Sequence, residues 1–225
     1  MTLRVFIGAD ERQPIAFNVA QHSIYQKASQ PVAVTRLVQD TLPVKRRGLT
    51  SFTYTRYLVP WLCNYQGWAL FMDADTLVRD DISKVFDCIP EMQRHHPVYV
   101  VPHDTVTMPH GKQVSVMFER NAVMLFNNAA CSNLTPEFIE KQTPNKLDTW
   151  ASSIGHLPKE WNHLVGYDKP NPAAAIAHFT MGIPCFPKTQ DDEFAGEWQE
   201  AHLSMNSTVT WDEIMGPSVH AQWKR

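Results

Sequence analysis

Two carboxylates stand two residues apart at Asp73-Ala74-Asp75, directly after the apolar run Trp68-Ala69-Leu70-Phe71-Met72. In an extended chain, residues i and i+2 face the same side, so Asp73 and Asp75 can present both carboxylates to one place while the small Ala74 faces away. Carboxylates held that close repel each other. A divalent cation relieves the repulsion and offers its open positions to phosphate oxygens, so the pattern reads as a metal-assisted site for a phosphate-bearing ligand. The plainer alternative is that the acids solvate a strand end or cap the next helix.

Such a pair needs a rigid strand beneath it, and the flanking sequence supplies a sheet. Val5 to Ala9 reads as a buried strand, and Gln13 to Lys27 places Ile15, Val19, His22 and Tyr25 at helical spacing with Pro14 in the first turn. Val32 to Val38 alternates as a second strand, which completes a β-α-β unit and predicts a parallel sheet with ligands near the carboxyl ends of its strands. The basic loop Lys45-Arg46-Arg47-Gly48 leads into a predicted helix from Phe52 to Cys63, kinked or broken at Pro60. Trp68 to Met72 is the central strand, Pro97 to Val101 and Asn121 to Phe126 are further strands, and Thr135 to Gln142 is helical. A last helix, Glu193 to Leu203, packs on the domain or serves as a homo-oligomer contact. The stretches Asp104 to Lys112 and Pro144 to Pro172 read as irregular, as substrate-enclosing loops often are. No repeat or linker divides the chain, so residues 1–225 read as a single α/β domain.

With 225 residues and 44% hydrophobic content, the chain can bury a substantial core. A formal net charge of -3 with scattered Lys and Arg gives no electrostatic reason to expect a nucleic-acid polymer as partner. The opening apolar run is too short for a secretion signal, and no stretch approaches the roughly 20 apolar residues of a membrane span, which predicts a soluble protein. Cys63, Cys88, Cys131 and Cys185 are widely spaced in core-like segments, which favours reduced buried thiols and the cytoplasm. Trp150, Trp161 and Trp198 are the aromatics best placed to stack on a sugar ring from a loop, against the commoner core role of large aromatics.

Four blocks make the chain resemble the retaining GT-A glycosyltransferases related to glycogenin and the bacterial lipooligosaccharide galactosyltransferases (family 8-like). Val5-Phe6-Ile7-Gly8-Ala9-Asp10 is similar to the opening strand of that family, and implies that the backbone at Gly8 and the acid Asp10 meet the nucleotide base and ribose. Ser51-Phe52-Thr53-Tyr54-Thr55-Arg56-Tyr57-Leu58-Val59-Pro60 resembles the helix with a Tyr-x-Arg-Leu signature, which makes Arg56 a nucleotide-sugar contact. A guanidinium can pair bidentately with a phosphate or carboxylate; the bland alternative is a surface Arg. Phe71-Met72-Asp73-Ala74-Asp75-Thr76-Leu77-Val78 matches the Asp-x-Asp block, and Ile82 to Ile89 resembles the short helix after it. Ala177-His178-Phe179-Thr180-Met181-Gly182-Ile183-Pro184 looks like the late strand whose His completes the metal site, with Gly182 in the loop near the diphosphate. Alone, such a His reads as a structural residue; beside the acidic pair it reads as a third ligand.

The resemblance implies a GT-A (Rossmann-like) fold, with a mixed, mainly parallel sheet flanked by helices and an elaborated C-terminal half. It implies Mn²⁺ (or Mg²⁺) held by Asp73, Asp75 and His178, a UDP-sugar as donor, a carbohydrate or other hydroxyl as acceptor, and retention of configuration. Asp148 and Asn121 are the candidates for orienting sugar hydroxyls. The chain departs from the pattern in three places. Ile183 stands where the family carries a Lys, with Lys188 as its nearest substitute. The Asn of the sugar-lining strand is shifted in Arg120-Asn121-Ala122-Val123-Met124-Leu125, and the acidic Asp-Gln-Asp segment is reduced to Leu147-Asp148-Thr149-Trp150, although Leu157-Pro158-Lys159-Glu160-Trp161-Asn162 matches again. Two alternatives stay open. One is a haloacid-dehalogenase-type phosphatase with Asp73 as nucleophile, and the other a non-catalytic nucleotide-sugar-binding module.

Overall fold

The computed structural model describes residues 2–90, 94–108 and 112–205. The chain opens with β1 (Leu3–Gly8), α1 (Pro14–Lys27) and β2 (Val32–Leu37), the β-α-β unit expected from periodicity. Pro14 lies in the first turn of α1, where its missing N–H has no helical partner to lose. β1 runs parallel to β2, with Leu3 opposite Val32, and parallel to β3 (Trp68–Asp73), with Gly8 opposite Asp73.

The remaining strands are β4 (Thr76–Val78), β5 (Val98–Val100), β6 (Thr105–Thr107), β7 (Gln113–Ser115), β8 (Val123–Asn127), β9 (Ile154–His156), β10 (His163–Leu164) and β11 (Ile176–His178). A six-stranded sheet has the order β2-β1-β3-β8-β5-β9 and is mainly parallel, with β8 antiparallel to both its neighbours. β10, β11 and β4 make a second small sheet, and β6 with β7 an antiparallel ribbon. After α1, the helices are α2 (Val59–Leu62), α3 (Ser83–Asp87), α4 (Pro136–Lys141), α5 (Pro144–Asp148) and α6 (Ala195–Met205).

Period-two alternation divides the strand residues between two cores. Val5, Ile7, Leu70, Met72, Val123 and Leu125 pack with α1 residues and with Trp198 of α6. Phe6, Ala69, Phe71, Met124 and Phe126 pack on the opposite side with Tyr57, Leu58, Val59 and Ile139. Leu70, Phe71 and Met72 have no exposed surface, so β3 is clamped from both faces. Burial of such a side chain contributes about 1.5–3 kcal/mol, which makes β3 a stiff support for the acids at its end.

Several expectations need correction. The predicted helix from Phe52 to Cys63 is not continuous, but a turn followed by a 3₁₀ segment over Thr55–Leu58 and the short α2. Pro60 cannot donate a hydrogen bond inside a longer helix and is accommodated only by starting a new one around it. The strand expected from Asn121 begins at Val123, with Asn121 in the 3₁₀ segment Met117–Ala122. The two supposedly irregular stretches hold structure: β6 lies in the first, and α5, β9 and β10 in the second. The cysteines are all free, but Cys185 is exposed and Cys88 only half-buried. Trp150, Trp161 and Trp198 are buried, in agreement with the core role that large aromatics more often take. Among the described residues, no helix is long and apolar enough to cross a membrane.

Candidate metal centre and adjoining clefts

Parallel pairing of β1 and β3 brings their carboxyl ends to one sheet edge, and there Gly8 lies opposite Asp73. The chain leaves β3 at Asp73 and turns at once into β4, a turn that Thr76 closes by donating its Oγ1 proton to the Asp73 carbonyl (2.8 Å). β4 pairs antiparallel with β11, placing His178 opposite Thr76, and the Phe179 N–H donates to the Asp75 carbonyl at 2.8 Å. This pairing carries a residue about a hundred positions downstream into the acidic turn. One ligand atom from each of Asp73, Asp75 and His178 lies within 4.8 Å of the others.

The electrostatics of this trio are those of crowded carboxylates around a buried imidazole. Burial raises the Asp73 carboxyl to about 7, against the lowering effect of Arg56 and with a further push from Asp75. Burial pulls the His178 ring the other way, but Asp75, Glu119 and Asp73 outweigh it and push the imidazole up to about 9. His178 Nε2 lies 3.5 Å from Asp75 Oδ1 and 4.0 Å from Glu119 Oε2, while Nδ1 lies 3.0 Å from Asn162 Oδ1. Arg56 Nη2 sits 3.3 Å from Asp73 Oδ1, outside hydrogen-bond alignment. Asp73 Oδ1 and Asp75 Oδ1 are buried without a hydrogen-bond partner among the described residues. Two buried carboxylate oxygens without hydrogen bonds and one imidazole nitrogen fit a hard divalent cation such as Mn²⁺ or Mg²⁺.

Arg56 is not a surface residue. Its side chain is 11% exposed, near the Phe52 and Phe71 rings (5.4 and 5.1 Å from the guanidinium carbon), and Nη1 donates to the Asn121 carbonyl at 2.5 Å. Asn121 in turn donates from Nδ2 to Asp148 Oδ1 at 3.0 Å, and the buried Tyr57 hydroxyl approaches the same oxygen at 3.4 Å. Burial pushes the Tyr57 phenol up, keeping it a donor. Arg56, Asn121 and Asp148, far apart in sequence, thus line one cleft of about 190 Å³ with Tyr54, Tyr57 and Leu147. Arg56 joins that cleft to the metal-type trio.

On the other side, Asp10, Arg12, Gln39, Arg47 and Ser51 line a cleft of about 290 Å³. The Arg12 guanidinium grips the Asp10 carboxylate at 2.8 and 2.6 Å and holds it down at about 2, so Asp10 stays ionised. Gln39 donates its Nε2 to the Arg46 carbonyl at 2.6 Å, leaving Oε1 buried and unpartnered among the described residues. Gly8 has a packing reason for lacking a side chain: a Cβ there would come within 2.5 Å of the Phe52 ring. Ala74 is buried in the core rather than facing the ligand atoms.

The late loop is less concentrated on the site. Gly182 has φ +127°, a conformation L side chains rarely adopt, in the turn that its N–H closes onto the Phe179 carbonyl. Lys188 is exposed, and no described contact joins it to Asp73, Asp75 or His178; Ile183 is fully buried. Three residues around His178 were not singled out from the sequence. Asn162 appeared only within a matching run, Glu119 is a lone acid in an unremarkable segment, and His103 gave no signal. Burial pushes the His103 ring down to about 4, so it is neutral near pH 7.

No family model matches the chain. It is 32% identical over 222 residues to Protein CDI of Arabidopsis thaliana, an alignment covering 87% of this chain and 84% of that protein. Among solved structures, the bifunctional glycosyltransferase WbbM superposes with a TM-score of 0.65 at 14% identity, covering 95% of this chain and 51% of WbbM. The chain therefore spans about half the length of that neighbour. The galactosyltransferase LgtC, solved with donor and acceptor sugar analogs, superposes with a TM-score of 0.58 at 13% identity, covering 95% of this chain and 99% of LgtC. These likenesses give the fold, which is that of the GT-A glycosyltransferases. The phosphatase alternative loses its footing there, because its nucleophile belongs on a first strand, whereas Asp73 ends β3 behind a complete β-α-β unit.

Proposed function

The chain belongs to the family of the Arabidopsis thaliana Protein CDI and has a GT-A fold, and from that premise we propose that it is a metal-dependent glycosyltransferase. In this reading it transfers a sugar from a nucleotide-diphosphate sugar, most simply a UDP-sugar, to an acceptor hydroxyl with retention. The observation that carries it is the convergence of Asp73, Asp75 and His178 at the carboxyl edge of β3, with two carboxylate oxygens buried and without a hydrogen-bond partner among the described residues. When bound there, Mn²⁺ or Mg²⁺ supplies positive charge to the diphosphate oxygens and to the charge that develops as UDP leaves.

The chain's own residues divide the rest of the work. Asp10 is kept ionised by Arg12 and accepts from ribose hydroxyls in the cleft beside β1. Arg56, already at the junction of Asp73 and the Asn121 carbonyl, places a fixed cation beside the leaving diphosphate. Asn121 and Asp148 orient the sugar hydroxyls, with Tyr57 restraining the Asp148 carboxylate. The acceptor oxygen forms its bond to the anomeric carbon on the face from which UDP departs. The bond from that carbon to the UDP oxygen breaks, and the departing UDP oxygen takes the acceptor's proton. Incubation with a panel of UDP-sugars tests the reading through slow release of free sugar and UDP. The expected result is Mn²⁺-dependent release from at least one donor, absent in Asp73→Asn/Asp75→Asn. Donor binding without any release, with every acceptor class tried, would instead mark a nucleotide-sugar-binding module.

A further inference from the structure

We propose that Asn162 is a positioning residue for the metal centre, holding the His178 ring with Nδ1 protonated and Nε2 turned toward the carboxylates of Asp73 and Asp75. The proposal rests on the metal-dependent reading above and adds to it a residue outside the ligand trio.

The orientation of the Asn162 amide follows from its partners. Nδ2 lies 2.8 Å from the Glu119 main-chain carbonyl oxygen and 3.1 Å from His103 Nε2. A carbonyl oxygen only accepts, so the atom facing it is the NH₂ group and a flipped amide would set two oxygens against each other. Oδ1 is therefore the atom 3.0 Å from His178 Nδ1, and because it too only accepts, Nδ1 must carry a proton. A neutral ring in that tautomer has its lone pair on Nε2, the nitrogen that faces Asp75 Oδ1 at 3.5 Å. The same reasoning makes His103 an acceptor at Nε2.

Burial and topology make this arrangement hard to escape. Asn162 is fully buried and His178 is 1% exposed, so water does not compete for these bonds. Asn162 closes the 3₁₀ segment Lys159–Asn162 immediately before β10, and β10 sets Leu164 opposite His178 on β11. Its three partners come from separate places: the segment before β8, the approach to β6, and β11. An imidazole ligand is oriented by what its other nitrogen donates to, and loss of such a partner typically weakens metal binding about 10–100-fold. A purely architectural Asn would show the same burial, so the test must read its action through His178.

That test is a double-mutant cycle on the full chain, reading free Mn²⁺ by electron paramagnetic resonance at pH 8, with metal-free unfolding curves for every variant. Asn162→Ala is expected to weaken Mn²⁺ binding about 10–100-fold. In a His178→Ala background, the Asn162→Ala change is expected to add less than about threefold. An equal loss in both backgrounds, or no loss from Asn162→Ala, overturns the proposal and leaves the metal reading intact. Failure of the wild-type chain to bind Mn²⁺ at all overturns both. If Asn162→Ala does not fold, Asn162→Ser, whose oxygen is one bond too short to reach Nδ1, carries the same comparison.

Discussion

The buried Asp73 carboxyl makes the metal-free protein pay attention to pH in a calculable way. Burial first, then Asp75, lift it from 3.8 to about 7 against Arg56. The folded state therefore holds the proton more tightly than the unfolded chain does. Its contribution to stability is fully present below pH 3.8 and is lost as pH rises through about 7. At about 1.4 kcal/mol per pKa unit, Asp73 alone withdraws about 3 kcal/mol of folding stability between pH 5 and pH 8. His178, raised from 6.5 to about 9, has the same sign: its contribution is complete below 6.5 and disappears through about 9. The perturbation is Asp73→Asn, compared with wild type in urea unfolding followed by tryptophan fluorescence, with a chelator present, at pH 5, 6, 7 and 8. Removing the carboxylate strands the Arg56 charge, but a guanidinium does not titrate between pH 5 and 8, so that cost is common to every pH and cancels from the slope. The variant should lose less stability than wild type over this range, by about 3 kcal/mol. Parallel curves, or a steeper fall in the variant, would refute the electrostatic picture of the site.

Other consequences can be checked singly. Gly8→Ala drives a Cβ into the Phe52 ring and should destabilise by about 1–3 kcal/mol in the same unfolding assay, with Phe52→Leu in the same chain recovering part of the loss. Arg56→Met leaves Asp73 buried without its cation; it should cost roughly 3–5 kcal/mol at pH 8 and clearly less at pH 5, where Asp73 is protonated. Asp148→Asn should lower kcat/KM for the sugar donor by about 10–100-fold while leaving UDP affinity unchanged, because it touches Asn121 and Tyr57 and not the metal trio.

The opening half of the fold was readable because its elements are long enough to show a period. β1, α1, β2 and β3 were each expected within a residue or two of where they lie, and the carboxyl end of β3 was the expected site edge. The α2 region failed at Pro60, where one residue converts a helical pattern into two short turns. β4, β10 and β11 are only two or three residues long, too short for any periodicity, yet their pairing delivers His178 to Asp75. His178 was therefore legible only by resemblance. Asn162, Glu119 and His103 were not legible as neighbours, since contacts between residues 16 to 59 positions apart depend on that small sheet and on the 3₁₀ segments beside it. Trp150, Trp161 and Trp198 lie in the core, as the size of the indole favours even where the neighbours in sequence are polar.

The central claim, that a nucleotide diphosphate is held through a cation at Asp73, Asp75 and His178, is tested most directly by calorimetric titration of the protein with UDP, with and without Mn²⁺. The account predicts clear binding with Mn²⁺ that weakens at least about tenfold when the metal is chelated, and that becomes insensitive to Mn²⁺ in Asp73→Asn/Asp75→Asn. UDP affinity that is the same with and without Mn²⁺, or a Mn²⁺ effect that survives the double substitution, would contradict it.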